Sequence, residues 1–264
     1  MKFDLVITDY DGTLGWGNEI NPETVKAINE YIDRGGKFVI CTGRMFKAIQ
    51  GICNQYGLNG IVAAFQGAII CNLQTGEIIR KGGLDYKFAA KAISDLKADG
   101  APVVADVDDY MYCEKETMYT EFHKEFTEVI KVDDLEKFVL EQKKSVYKVI
   151  STGDAEMILP LTKKYNEKYK GQAICNNGSD LIMEVINPEY SKGTAVRFLA
   201  NHFGVPLDRV MTIGDSTNDY ELMGDEWHGV AVGDGKEGLK KLAKEVTVPY
   251  NEQPVKTLLE KYCL

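Results

Sequence analysis

Apolar residues along this chain fall into short runs of four or five, separated by longer segments with helical spacing. Phe3, Leu5, Val6 and Ile7 make a nearly continuous run, the pattern of a central parallel strand covered on both faces. Asn21-Pro22 supplies an N-cap and N1 pair for a helix through about Arg34, which Gly35-Gly36 can end. Lys37–Cys41 predicts a second strand, and a helix follows to about Tyr56, closed by Gly57. Ile61–Phe65 predicts a third strand, and Ile69–Ile79 a hairpin around Gln74-Thr75-Gly76. This strand–helix alternation predicts a parallel α/β sheet.

Gly82-Gly83 interrupts that rhythm. From about Leu84 to Ile186 the pattern predicts helices at Tyr86–Ala98, Thr117–Thr127, Leu135–Lys143 and Ala155–Lys170. Between them it predicts strands at Val103–Val107, Tyr110–Cys113, Val146–Ser151, Ala173–Cys175 and Leu181–Ile186. Several of these read as hairpins, so the stretch predicts an inserted α+β domain. Asn187-Pro188 would be the return hinge. From Ser191 the first pattern resumes: a helix to Phe203 with Ser191 as N-cap, a strand at Arg209–Ile213, and a helix to about Met223. A strand at Gly229–Val232, a helix at Lys236–Lys244, a short strand at Val246–Val248 and a closing helix after Asn251 complete it.

Charge sharpens the division. The segment Leu84–Ile186 holds 20 acidic side chains against 14 lysines and no arginine, whereas the remainder carries all five arginines. Over 264 residues the net charge is −9 with no long basic run, so a nucleic-acid partner lacks its electrostatic footprint. No apolar stretch is long enough to cross a bilayer, and no signal-peptide core precedes the first strand, so neither a membrane nor secretion is expected and a cytoplasmic location is. Cys41, Cys53, Cys71, Cys113, Cys175 and Cys263 contain no CxxC pair and read as reduced structural thiols. In such a compartment the Asn177-Gly178-Ser179 sequon carries no meaning.

Candidate chemistry sits where three predicted strands end: Asp9-x-Asp11-Gly12-Thr13, Thr42-Gly43-Arg44, and Gly214-Asp215-x-x-Asn218-Asp219. If the first strand persists, Asp9 and Asp11 share one face. Ligands of open α/β sheets bind beyond the carboxyl ends of strands, so the clusters can converge. With Ser191-Lys192-Gly193 at a helix start they supply carboxylates, a hydroxyl and a cation, which suit phosphate and a hard metal ion. Singly, each has an ordinary reading as turn, cap or solvated lysine. Gly233-Asp234-Gly235-Lys236-Glu237-Gly238 fits G-x-G-x-x-G, but too little chain follows for a dinucleotide-binding unit, so it reads as a tight turn.

Taken in order, these motifs resemble the haloacid dehalogenase superfamily, and among it the Cof-like phosphatases with a large cap between the second and third motifs. The matching positions are Asp9-Tyr10-Asp11-Gly12-Thr13, Thr42, Lys192 and Gly214–Asp219. The resemblance implies a Rossmann-like α/β core with a mostly parallel central sheet, about 1–81 and 189–264, and an inserted α+β cap, about 82–188. It implies Mg²⁺-dependent hydrolysis of a small phosphorylated metabolite such as a sugar phosphate. Asp9 would be the nucleophile and Asp11 the acid and base. Thr42, Gly43 and Lys192 would hold the phosphoryl group, and Asp9, Asp11, Asp215 and Asp219, supported by Asn218, the metal. The cap would close over the site and choose the leaving group, with the turns at Asp106–Tyr110 and Asn176–Asp180 as candidates. Arg44 would be structural. Gln66-Gly67-Ala68 and Gly233-Asp234-Gly235 depart from the Asn-Gly-Ala and Gly-Asn-Ala common in that family. A sugar phosphomutase is the nearest alternative, although an arginine-free cap lacks the usual grip on a second phosphate. A non-catalytic metabolite-binding protein is the other. Oligomeric state is not specified.

Overall fold

The computed structural model describes residues 1–125 and 127–264. The chain divides into two compact units, Met1–Arg80 with Ser191–Leu264, and Lys81–Tyr190.

The first unit begins with β1 (Leu5–Thr8), a small hairpin of β2 (Gly15–Trp16) and β3 (Glu19–Ile20), α1 (Pro22–Asp33), β4 (Lys37–Cys41) and α2 (Phe46–Tyr56). β5 (Ile61–Ala64), β6 (Ile69–Asn72) and β7 (Ile78–Lys81) follow. The Asn21 side chain caps α1 by accepting from the Glu23 amide, and Gly57 ends α2 in the left-handed conformation at φ 61°.

The second unit contains α3 (Tyr86–Ala98), β8 (Val103–Val107), β9 (Tyr110–Cys113), α4 (Met118–His123), β10 (Val129–Lys131) and α5 (Leu135–Gln142). It closes with β11 (Val146–Thr152), α6 (Ala155–Lys168), β12 (Ile174–Ser179) and β13 (Ile182–Ile186). Among the described residues its strands order as β10-β9-β8-β11-β13-β12. Ala105, Val107, Val149, Met183 and Val185 share a core with residues of α3, α5 and α6. By alternation Val104, Asp106, Lys148, Ile150 and Glu184 occupy the opposite face.

The chain then returns to the first unit through α7 (Lys192–His202), β14 (Val210–Gly214), a 3₁₀ segment (Thr217–Leu222), β15 (His228–Ala231), α8 (Glu237–Lys240), β16 (Glu245–Val246) and α9 (Pro254–Tyr262). Its strands order as β16-β15-β14-β1-β4-β5-β6-β7. Neighbours from β16 through β5 run parallel, and β6 turns antiparallel to β5. This is the expected mostly parallel α/β sheet, with β1 near its middle.

Several expectations need correction. The first strand stops at Thr8, so Asp9 and Asp11 do not share a strand face. The stretch after Gly214 is a 3₁₀ segment, and the helix expected over Lys236–Lys244 shrinks to four residues. The helix expected at Thr117–Thr127 spans Met118–His123, and Phe126 lies outside the described residues. The turn expected at Asn176–Asp180 is mostly strand, because β12 pairs with β13 through a register shift between Asn177 and Ser179. Pairing overrides the turn preference of those residues.

Candidate active site

Strand register levels three chain ends. Leu5 pairs with both Lys37 and Val210, so Thr8 lies beside Ile40 and Ile213. Asp9, Thr42 and Asp215 therefore leave one edge of the sheet together. The Asp9 amide donates to the Ile213 carbonyl at 2.9 Å and the Thr42 amide to Ala63 at 2.9 Å, which carries the sheet pattern one residue beyond β1 and β4. Lys192 opens α7 behind a capping box in which the Ser191 and Thr194 side chains each accept from the other's backbone amide.

At that edge Lys192 Nζ lies 2.5 Å from Asp9 Oδ1 and 2.5 Å from Asp219 Oδ1, and all three side chains are buried. Asp219 Oδ2 accepts from the Asp215 and Ser216 amides, each at 3.0 Å. Asp215 Oδ1 accepts from the Thr13 hydroxyl at 2.8 Å. One carboxylate oxygen from each of Asp9, Asp215 and Asp219 falls within 4.8 Å of the others. Burial, followed by the facing Asp219 carboxylate, pushes Asp9 up against the opposing pull of Lys192, to about 8. Burial also raises Asp215 to about 6, with Asp219 adding to the rise and the Thr13 hydroxyl opposing it. Desolvation lowers Lys192, but Asp219 and Asp9 outweigh it and the net direction is upward. Three carboxylates against one ammonium leave an excess of negative charge in a buried space.

The other expected residues take different places. Asp11 is not one of the three clustered carboxylates, and its side chain is 46% exposed. It receives a bidentate grip from Arg44, Nε to Oδ2 at 2.9 Å and a terminal nitrogen to Oδ1 at 2.6 Å, while the guanidinium lies 4.6 Å from the Tyr10 ring centroid. Thr42 is buried, and its hydroxyl accepts from the Arg44 amide at 3.1 Å. Gly43 sits between them in the loop before α2. Asn218 is exposed on the 3₁₀ segment.

The sequence profile of the haloacid dehalogenase-like hydrolases matches residues 6–259. The chain belongs to that family. It is 28% identical over 265 residues to a provisionally named phosphatase from Haemophilus influenzae, covering 99% of this chain and 98% of that one. It is 25% identical over 268 residues to the 5-amino-6-(5-phospho-D-ribitylamino)uracil phosphatase of Bacillus subtilis, covering 98% and 97%. In fold it is similar to the crystal structure of a haloacid dehalogenase-like hydrolase from Bacteroides thetaiotaomicron, with a TM-score of 0.85, 19% identity and coverage of 98% and 99%.

The donor set of this hydrolase fits a divalent metal. It is made of oxygen alone, it is over-charged, and the Thr13 bond and the Asp219 amide contacts orient two of its members. Oxygen-only carboxylate sites select hard cations. Sequence reasoning assigned no role to several residues that shape the set. A Cβ at Gly12, whose φ is +81°, would lie 2.8 Å from Asp215 Oδ2, so glycine is required there. Glu221 accepts from the Ser191 hydroxyl and from the Gly193 amide at 3.1 Å, bracing the turn that presents Lys192. The Gly233–Gly238 loop also braces the site: the Lys236 amide donates to the Asp215 carbonyl at 2.7 Å, and a Cβ at Gly235 would meet that oxygen at 2.8 Å. Thr13 and Gly12 stood inside the first motif. Glu221 had no local signal. Gln66, one of the departures from the family pattern, has φ 60°, donates its amide to the Thr42 carbonyl at 2.8 Å, and buries an Oε1 with no hydrogen-bond partner.

Proposed function

We propose that this hydrolase is a Mg²⁺-dependent phosphatase of small phosphomonoesters that works through an aspartyl-phosphate on Asp9. The observation that carries this reading is the convergence of Asp9, Asp215 and Asp219 around buried Lys192 at one sheet edge. Asp9, Asp215 and Asp219, with the Asp11 backbone carbonyl, would hold the cation. When bound, it screens the repulsion between an anionic nucleophile and an anionic ester. Lys192 occupies Asp9 Oδ1, which leaves Oδ2 to attack phosphorus. The bond from phosphorus to the leaving oxygen breaks, and Asp11 gives its proton to the departing alkoxide. Asp11 then takes a proton from the water that attacks the acyl phosphate, and the bond from Asp9 to phosphorus breaks to release inorganic phosphate. Lys192, the Thr42 hydroxyl and the Gly43 amide stabilise the transferring oxygens. Asn218 supports the metal-binding turn. Arg44 fixes Asp11 until substrate arrives.

The Lys81–Tyr190 unit is the substrate-selecting cap in this reading, and the preferred substrates are sugar or polyol phosphates. The ribityl phosphate in the name of the Bacillus subtilis relative supports that class. The test is a panel of phosphorylated metabolites assayed for phosphate release with Mg²⁺ and with EDTA, alongside Asp9→Asn. Metal-dependent release that Asp9→Asn abolishes is expected. Equal rates in both proteins would remove Asp9 from its role, and isomerised sugar phosphate without free phosphate would point to a mutase.

A further inference from the structure

Lys192 is the first residue of α7, and the residues on either side of it are held by one carboxylate that lies outside the four motifs. The Ser191 hydroxyl and the Gly193 amide, the latter at 3.1 Å, both donate to Glu221 Oε2. The Gly193 amide belongs to the first turn of α7, whose N–H groups have no partner inside the helix, and a negative charge is favoured there. The approach is close. A Cβ at Gly193 would lie 2.9 Å from both Cβ and Oε2 of Glu221.

Glu221 stands on the 3₁₀ segment Thr217–Leu222, which also carries Asp219, and Asp219 Oδ1 meets Lys192 Nζ at 2.5 Å. That segment is pinned at both ends. Asp219 Oδ2 accepts from the Asp215 and Ser216 amides, while the Leu222 carbonyl accepts from the Thr212 hydroxyl of β14 and from the Trp227 indole at 2.6 Å. One anchored segment therefore grips Lys192 twice, at the side-chain tip through Asp219 and beside the backbone through Glu221.

We propose that Glu221 is a positioning residue for Lys192, the second point of a clamp that fixes where the ammonium meets Asp9 and the transferring oxygens. This role rests on the phosphatase reading and adds to it a residue that sets the rate. A lysine stem is flexible, so two contacts at the tip alone do not fix the approach of the ammonium, and stabilisation of a transition state depends on geometry set beforehand. A misplacement of about 1 Å can cost about a hundredfold in rate. The Ser191–Thr194 capping box does not involve Glu221, and Glu221 is exposed, so its removal loosens the start of α7 without unmaking the helix or opening a cavity.

The test combines steady-state kinetics of phosphate release with hydrogen–deuterium exchange of α7 on the full chain. The proteins are wild type, Glu221→Ala, Glu221→Gln and Glu221→Asp, with melting curves to confirm folding. Glu221→Ala should lower kcat at least tenfold with KM within twofold of wild type, the pattern of an interaction realised in the transition state. Its first-turn amides should exchange at least tenfold faster. Glu221→Gln keeps an acceptor oxygen at the same reach and should stay within threefold of wild type in both measurements. Glu221→Asp, one methylene shorter, should fall with alanine, and it carries the test if the alanine variant does not fold. A kcat for Glu221→Ala within threefold of wild type, a glutamine variant as slow as alanine, or unchanged exchange would overturn the proposal. Exchange is read without turnover: a wild type that releases no phosphate, yet loosens at α7 in Glu221→Ala and is restored by glutamine, would sink the phosphatase reading and leave the clamp standing.

Discussion

Each unit of this hydrolase buries a lysine among carboxylates, yet the two clusters are finished differently. In the first, Lys192 touches Asp9 and Asp219 at 2.5 Å, and Asp219 and Asp215 are tied further by backbone amides and the Thr13 hydroxyl. In the second, Lys148 pairs with Glu184 while Asp106 keeps a buried, unpaired oxygen. The first cluster is held in place by its own protein partners, as expected where geometry must be set before a reaction begins. The second leaves one buried carboxylate oxygen without a hydrogen-bond partner, so its geometry is less fully determined.

The largest separation between the clusters should come from removing the lysines. Lys192→Met leaves buried Asp9 and Asp219 beside half-buried Asp215 without compensation, which should cost about 3–5 kcal/mol and abolish turnover. Lys148→Met should cost less, because Glu184 remains 14% exposed and can take water. Urea denaturation of the two variants measures the gap, and equal losses would erase the distinction. Next, Asp106 bears on pH. Its carboxyl is raised in the folded state to about 7, so the folded chain binds the proton that the unfolded chain releases. The contribution of this group to stability is therefore full at acid pH and falls as pH rises from about 4 through 7. Asp106→Asn should remove that slope and recover roughly 4 kcal/mol near neutral pH. Melting across pH 4–8 tests it, and an unchanged slope would mean Asp106 is ionised in the fold.

These clusters also differ in how far they could be read from the chain. Asp9, Asp215 and Lys192 were legible because each follows an apolar run or opens a capped helix, and strand ends converge in this architecture. The Asp106–Lys148–Glu184 row was not, because it depends on the register among β8, β11 and β13, which local sequence does not specify. β10 escaped notice at three residues, half-exposed at the edge of its sheet. Where the sequence pattern predicts a helix to about Met223, the structure has a 3₁₀ segment over Thr217–Leu222. There the Asp219 carboxylate ties the Asp215 and Ser216 amides, and the Thr212 hydroxyl donates to the Leu222 carbonyl.

Smaller changes sharpen the first cluster further. Gly12→Ala forces a side chain into a left-handed backbone and against Asp215 Oδ2; the strain of about 1–2 kcal/mol should come with at least a tenfold fall in kcat. Thr13→Val removes one hydrogen bond, worth about 1 kcal/mol. It should weaken metal affinity by roughly tenfold by releasing Asp215, read as a shift in the Mg²⁺ concentration for half-maximal rate.

The most direct measurement of the central claim is an acid quench during turnover of a good substrate, followed by peptide mass spectrometry. The account predicts a phosphoryl adduct on the peptide carrying Asp9, absent in Asp9→Asn together with its activity. An adduct on a different residue, or an Asp9→Asn protein that turns over like wild type, would contradict it.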